Sequence, residues 1–125
     1  TYGLERICMF VQEKKNVFDI DWNDNGVKYG DVYLQSEKEF STYNFDQANT
    51  DSLLKNFEIA EQECKNLLEQ KLPLPAYDQC LKASHIFNLL DARGVIAVAE
   101  RTGYINRIRE LAKGAGSGWL ENQER

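Results

Sequence analysis

Residues 50–68, TDSLLKNFEIAEQECKNLL, carry the periodicity that decides the fold. Leu53, Leu54, Phe57, Ala60, Cys64, Leu67 and Leu68 recur every three or four residues over about five turns, which makes one helix face apolar and in need of a core. Thr50 or Asp51 is placed to cap this helix. Lys71-Leu72-Pro73-Leu74-Pro75 ends it, and Pro75 suits the first turn of a second helix, where its missing N–H costs nothing. A PxP ligand for a polyproline-binding domain is the alternative for residues 72–75. Tyr77, Cys80, Leu81, Ser84, Phe87 and Leu90 continue the apolar face. Asp91 reads as a stop and a new cap. Val95, Val98, Ile105, Ile108, Leu111 and Ala112 mark a third helix, weakened at Gly103, in which Gly94 comes too early to help. Gly114, Gly116, Ser117 and Gly118 are expected to end helical order, leaving 114–125 as a flexible tail. Residues 50–113 are thus expected to form three packed helices.

Toward the amino end the signal changes. Ser36 to Asn49 reads as an irregular connector anchored by Phe40, Tyr43 and Phe45. Lys28 to Leu34 and Val17 to Trp22 read as extended segments, with Phe18, Ile20 and Trp22 on a buried side. Asn23-Asp24-Asn25-Gly26 between them is a strong turn. Before these, Leu4, Ile7, Cys8 and Val11 repeat at i, i+3, i+4 and i+7, so a short helix with a buried face is expected. Arg6 lies off that stripe, behind Gly3. A guanidinium at a glycine-opened helix start suits a phosphate or a flat π-system. An ordinary amphipathic helix with solvated Glu5 and Arg6 accounts for the same residues.

The 125-residue chain has 42% hydrophobic and 11% aromatic residues, an ordinary globular composition. The absence of a long apolar run and of a basic-then-apolar leader gives the expectation of a soluble, non-secreted protein without a membrane partner. A net charge of −5 disfavours a major nucleic-acid surface. Arg101, Arg107, Arg109 and Lys113 bunch on one predicted helix, but Glu100 and Glu110 dilute them, so a solvated face with intrahelical pairing is expected. Cys8, Cys64 and Cys80 fall on apolar stripes and read as small buried hydrophobes in a reducing compartment. His85 has no ligand-type neighbours, so no metal site is expected, and a packed or capping histidine fits its place beside Phe87.

Several strings together resemble one family: Thr1-Tyr2-Gly3-Leu4-Glu5-Arg6, Tyr29-Gly30-Asp31-Val32, Ser41-Thr42-Tyr43-Asn44-Phe45, Leu72-Pro73-Leu74-Pro75-Ala76-Tyr77, and Phe87-Asn88-Leu89-Leu90-Asp91-Ala92-Arg93-Gly94, followed by Glu100-Arg101 and Tyr104-Ile105. In that order, over about residues 1 to 113, the chain resembles the carboxyl-terminal part of the α subunit of bacterial heterotetrameric glycyl-tRNA synthetase, a class II aminoacyl-tRNA synthetase. The glycine-rich tail after Lys113 lies outside the likeness.

The resemblance implies a mainly α chain: residues 1–49 are the end of a class II catalytic core, with the motif 3 helix and short extended segments, and 50–113 are a helical carboxyl-terminal domain. It implies that Arg6 is the motif 3 arginine, catalytic through contact with the adenine face and γ-phosphate of ATP. Gly3 matches the small residue that lets adenosine lie close, and Thr1 matches a hydroxyl position facing the amino-acid pocket; Glu5 is assigned a structural pairing role. The implied reaction is ATP-dependent activation of glycine and its transfer to tRNA in the cytoplasm. Motif 1, motif 2 and the acidic residue that helps hold magnesium are expected before Thr1, so these residues alone are expected to be inactive. The implied partners are a β subunit, which carries most of the tRNA surface, and a second α subunit in an α2β2 assembly. A non-enzymatic helical interaction module is the alternative.

Overall fold

The computed structural model describes residues 2–123, which fall into two units, Thr1–Asp46 and Gln47–Arg125. The described residues are mainly helical, with five α-helices and no strand beyond a single bridge between Asp21 and Lys28.

The second unit holds the core. Helices α3 (Thr50–Glu69), α4 (Pro73–Ala92) and α5 (Val98–Gln123) pack around Phe57, Cys64, Ala76, Cys80, Ala83, Leu90 and Leu111. The cap of α3 is Asn49, one residue ahead of the expected Thr50 or Asp51; its Oδ1 accepts from Ser52 N–H at 2.8 Å. Both prolines lie in the first turn of α4, where their missing donors are orphans in any helix.

The ends of α3 and α4 share one device. Lys71 N–H bonds Leu68 C=O and Leu72 N–H bonds Leu67 C=O, while Gly94 N–H bonds Asp91 C=O and Val95 N–H bonds Leu90 C=O. These are Schellman closures, in which the residue after the cap turns left-handed: φ is 60° at Lys71 and 68° at Gly94. Asp91 therefore lies inside the last turn of α4 and starts no helix, and Gly94 closes α4 instead of weakening α5.

The expected end of helical order at Gly114 is also overturned, because α5 runs on to Gln123. Tertiary packing overrides the low helix propensity of glycine here. A Cβ at Gly114 would lie 2.8 Å from Leu68 Cδ1, and one at Gly118 would lie 3.5 Å from Pro73 Cβ. Spaced four residues apart, these glycines let α5 approach the turn between α3 and α4 closely, and Asn122 Nδ2 donates to Lys71 C=O at 3.2 Å.

The first unit departs further from expectation. Val17–Asp19 is a single 3₁₀ turn, capped by Asn16 Oδ1 on Phe18 N–H. Of the expected buried trio Phe18, Ile20 and Trp22, Ile20 is buried and Trp22 is 50% exposed. The Asn23–Gly26 turn forms as expected, with Gly26 at φ 84° and Asn23 Oδ1 accepting from Asn25 N–H at 3.0 Å.

Lys28 to Leu34 is not extended, since α2 spans Tyr29–Thr42. Asp31 sits at the third helical position and accepts from Lys28 N–H at 2.7 Å, which starts the helix. Gly30 is required by contact: a Cβ there would lie 3.0 Å from Phe18 O. The helix passes into a π-helical turn at Tyr43–Gln47, so the expected irregular connector is helical. Phe40, Tyr43 and Phe45 anchor nothing among the described residues, each being at least half exposed.

Candidate functional site

Helix α1, Leu4–Val11, opens on Gly3, whose φ of 74° and ψ of 115° favour a residue without a Cβ. A Cβ added there would meet Arg6 Cγ at 4.0 Å, an ordinary contact, so backbone conformation selects the glycine. Arg6 is exposed and joins no ion pair among the described residues. Thr1, the third predicted site residue, lies outside the described residues.

The stripe expected to be buried is largely exposed: Leu4 by 77%, Ile7 by 47% and Val11 by 72%, while Cys8 is half-buried. No residue of α1 is buried. The periodicity correctly marks an apolar face, but the described part of this unit covers it only in part.

A recess of 360 Å³ borders one edge of that stripe, lined by Leu4, Glu5, Cys8, Ile20, Asp21, Trp22, Tyr29 and Tyr33. At about 100° per residue, Arg6 points roughly 150° away from it, so the structure does not bring Arg6 into this recess. Inside it Tyr29 and Tyr33 pack at 4.8 Å between ring centroids, and Trp22 meets Tyr33 edge-on at 5.7 Å. Tyr29 O–H donates to Glu5 Oε1 at 3.4 Å, a pairing contact for Glu5. Burial, and then the Glu5 charge, push the Tyr29 hydroxyl above its usual pKa. Hydrogen bonds from Lys28 and Lys14 hold the Asp21 carboxyl below its usual range.

Arg101, Arg109 and Lys113 are exposed on α5, as expected of a solvated face, but the ion pairs found for Arg101 and Arg107 run to other helices and not within α5. Arg107 reaches across to α3, where Nε and Nη2 bond the two carboxylate oxygens of Glu61 at 3.0 and 2.5 Å. Its guanidinium lies 4.8 Å from the ring centre of Phe57 and 5.0 Å from that of Tyr104. Arg107 holds the Glu61 carboxyl below its usual pKa, and Glu61 raises that of Arg107. Arg101 Nε bonds the Asp91 carboxylate of α4, and Arg93 Nη1 donates to Ala48 C=O at 2.9 Å. The Asp91-Ala92-Arg93-Gly94 string is therefore a structural joint. The signal for Glu61 was present in the sequence: it interrupts the apolar stripe between Phe57 and Cys64, where a carboxylate needs a partner.

Cys64 and Cys80 are buried, as expected, and burial pushes both thiols up. His85 is exposed on α4, neither packed nor capping. Among the described residues no three His, Cys, Asp or Glu side chains gather in a way that would hold a metal ion, and no helix is long and apolar enough to cross a membrane. An apolar groove of 240 Å³ runs between α4 and α5, lined by Pro73, Leu74, Tyr77, Ala112, Ala115, Gly116 and Trp119.

The described residues thus define a mainly helical protein in which a glycine-opened helix presents an arginine to solvent, with an ion-paired three-helix bundle as its second unit. A family model for the glycyl-tRNA synthetase alpha subunit matches residues 1–124. The chain belongs to that family, which relates it to glycine–tRNA ligases.

Proposed function

We propose that this chain supplies motif 3 of a class II synthetase site, and that Arg6 contacts ATP while glycine is activated for transfer to tRNA. The observation that carries this reading is an exposed arginine, Arg6, in the first turn of a helix opened by the left-handed Gly3, in a chain whose residues 1–124 match the family. A planar cation stacks on a purine and offsets phosphate charge as a carboxylate attacks the α-phosphate, and Gly3 keeps the backbone beside it narrow. Thr1 is assigned to the amino-acid pocket on the resemblance alone.

The bare apolar flank of α1 supports a second part of the reading: residues 1–49 belong to a catalytic core whose sheet covers Leu4, Ile7 and Val11. Motifs 1 and 2 and the magnesium-binding acid of a class II synthetase belong to that same core. Among the described residues no acidic cluster would hold magnesium. Under this reading activity needs the complete core, and glycine-dependent pyrophosphate exchange by these 125 residues alone would refute it. The partners are the β subunit, which carries most of the tRNA surface, and a second α subunit in an α2β2 assembly. The helices after residue 50 serve as an accessory domain.

Titrating ATP into the assembled synthetase and its Arg6→Ala variant tests the assignment. Loss of a charge-assisted contact weakens binding by about ten- to a hundredfold. Equal affinity removes Arg6 from the site. A non-enzymatic helical interaction module is favoured by one observation, the open apolar groove between α4 and α5. Such a module has no need of Gly3 and Arg6, so the same titration separates the two.

A further inference from the structure

We infer that Gln12 is a positioning residue for Arg6, an assignment that rests on the role proposed above for that arginine. No residue of α1 is fully buried, and Leu4 and Cys8 meet Ile20 and Trp22 only around an open recess, so apolar packing within the described unit leaves its angle weakly set. Its directional links to the following segment are polar. Gln12 is the C-cap of α1, and its side-chain amide pairs with both backbone groups of Asp21: Asp21 N–H donates to Oε1 at 2.7 Å, and Nε2 donates to Asp21 C=O at 3.1 Å.

The hairpin explains why those groups need a partner. Trp22 N–H donates to Val27 C=O and Tyr29 N–H to Ile20 C=O, each at 2.8 Å, so the neighbouring residues use one edge of the segment. The Asp21 N–H and C=O point to the other edge, and the Gln12 carboxamide stands where a neighbouring strand would. A side chain carrying both a donor and an acceptor at this reach satisfies the pair. Lys14 and Lys28 hold the Asp21 carboxylate, which pins the same segment. The remaining polar link, from Tyr29 to Glu5, is long at 3.4 Å.

Arg6 lies six residues before Gln12, about 9 Å along the helix axis. A swing of about 10° around the clamp would move the Arg6 backbone by about 1.6 Å. A displacement of this size weakens the Arg6 contact to ATP, whose full loss is worth about ten- to a hundredfold in affinity. Gln12→Glu exchanges one NH₂ for oxygen and sets a carboxylate against the Asp21 C=O. One hydrogen bond is replaced by repulsion, with almost no change in shape.

The test is glycine-dependent pyrophosphate exchange by the assembled synthetase. Gln12→Glu is expected to raise the KM for ATP about tenfold while kcat changes less than about threefold, and to add no further rise in an Arg6→Ala background. Simple loss of folded enzyme would lower kcat and leave KM unmoved. Should Gln12→Glu not fold, Gln12→Met carries the same expectation. An unchanged KM, or an equal rise with and without Arg6, overturns the inference. An unchanged KM for Arg6→Ala alone overturns the role of Arg6 itself and is read separately.

Discussion

Replacing Arg107 by alanine removes two hydrogen bonds to Glu61, at 3.0 and 2.5 Å, and a cation lying over two aromatic rings. It leaves the Glu61 carboxylate, 11% exposed, with Lys65 alone at 3.3 Å, and Lys65 is itself 53% exposed. Breaking a fully buried pair costs about 3–5 kcal/mol, whereas exposed pairs contribute about 0.2–1 kcal/mol. The Arg107 side chain is 39% exposed, so solvent screening places the loss between these limits, at about 2 kcal/mol. Lost ring contacts and stem packing add about 1 kcal/mol. A total of about 3 kcal/mol lowers the Tm of a bundle this size by about 15 °C.

The pH dependence has a definite sign. Arg107 depresses the folded-state pKa of Glu61, so the pair's contribution is complete above the unfolded carboxyl value and is lost as pH falls through the lower folded value. The raised pKa of Arg107 acts only far into the alkaline range. Urea unfolding followed by far-UV CD, on the native chain, Arg107→Ala, Glu61→Gln and the double variant, yields the coupling energy at about pH 7 and about pH 3. The coupling should be present at the first pH and shrink at the second. A cost for Arg107→Ala below about 0.5 kcal/mol, or a coupling unchanged by acid, would refute the reasoning.

Lys71 holds φ 60° at the close of α3, so Lys71→Gly should relieve left-handed strain and raise the unfolding free energy by about 0.5–1 kcal/mol in the same urea assay. The glycines of α5 should divide by environment. Gly103 has nothing within 4 Å of an added Cβ, so Gly103→Ala should stabilise by about 0.5–1 kcal/mol. Gly114→Val drives a branched side chain onto Leu68 and should destabilise by about 1–3 kcal/mol. Equal effects at the two positions would mean that α5 does not pack on Leu68.

The three-helix unit was legible because its apolar residues repeat over whole helices: Leu53, Phe57, Ala60 and Cys64 are all buried. In the first unit, short windows misled. Gly30 and the alternation around Val32 hid a helix whose period shows only when Tyr29, Val32, Tyr33, Ser36 and Phe40 are taken together. Gly114 to Gly118 read as a break because propensity is local, while the contact that uses those glycines lies some 45 residues away at Leu68 and Pro73. For the site, Gly3 and Arg6 were marked by residue type and resemblance. The Gln12 clamp was not legible, since an amide paired with backbone groups leaves no pattern in side-chain spacing.

The division follows from the range of the interactions. Helical periodicity, proline placement and the resemblance that selects Gly3 and Arg6 are properties of order along the chain, and they were enough to establish a mainly α protein and its family. Where α5 ends, which carboxylate Arg107 meets, and that α1 faces solvent within its unit depend on side chains brought together from distant positions. Those outcomes turn on steric fit and desolvation across helices, which only the assembled structure sets.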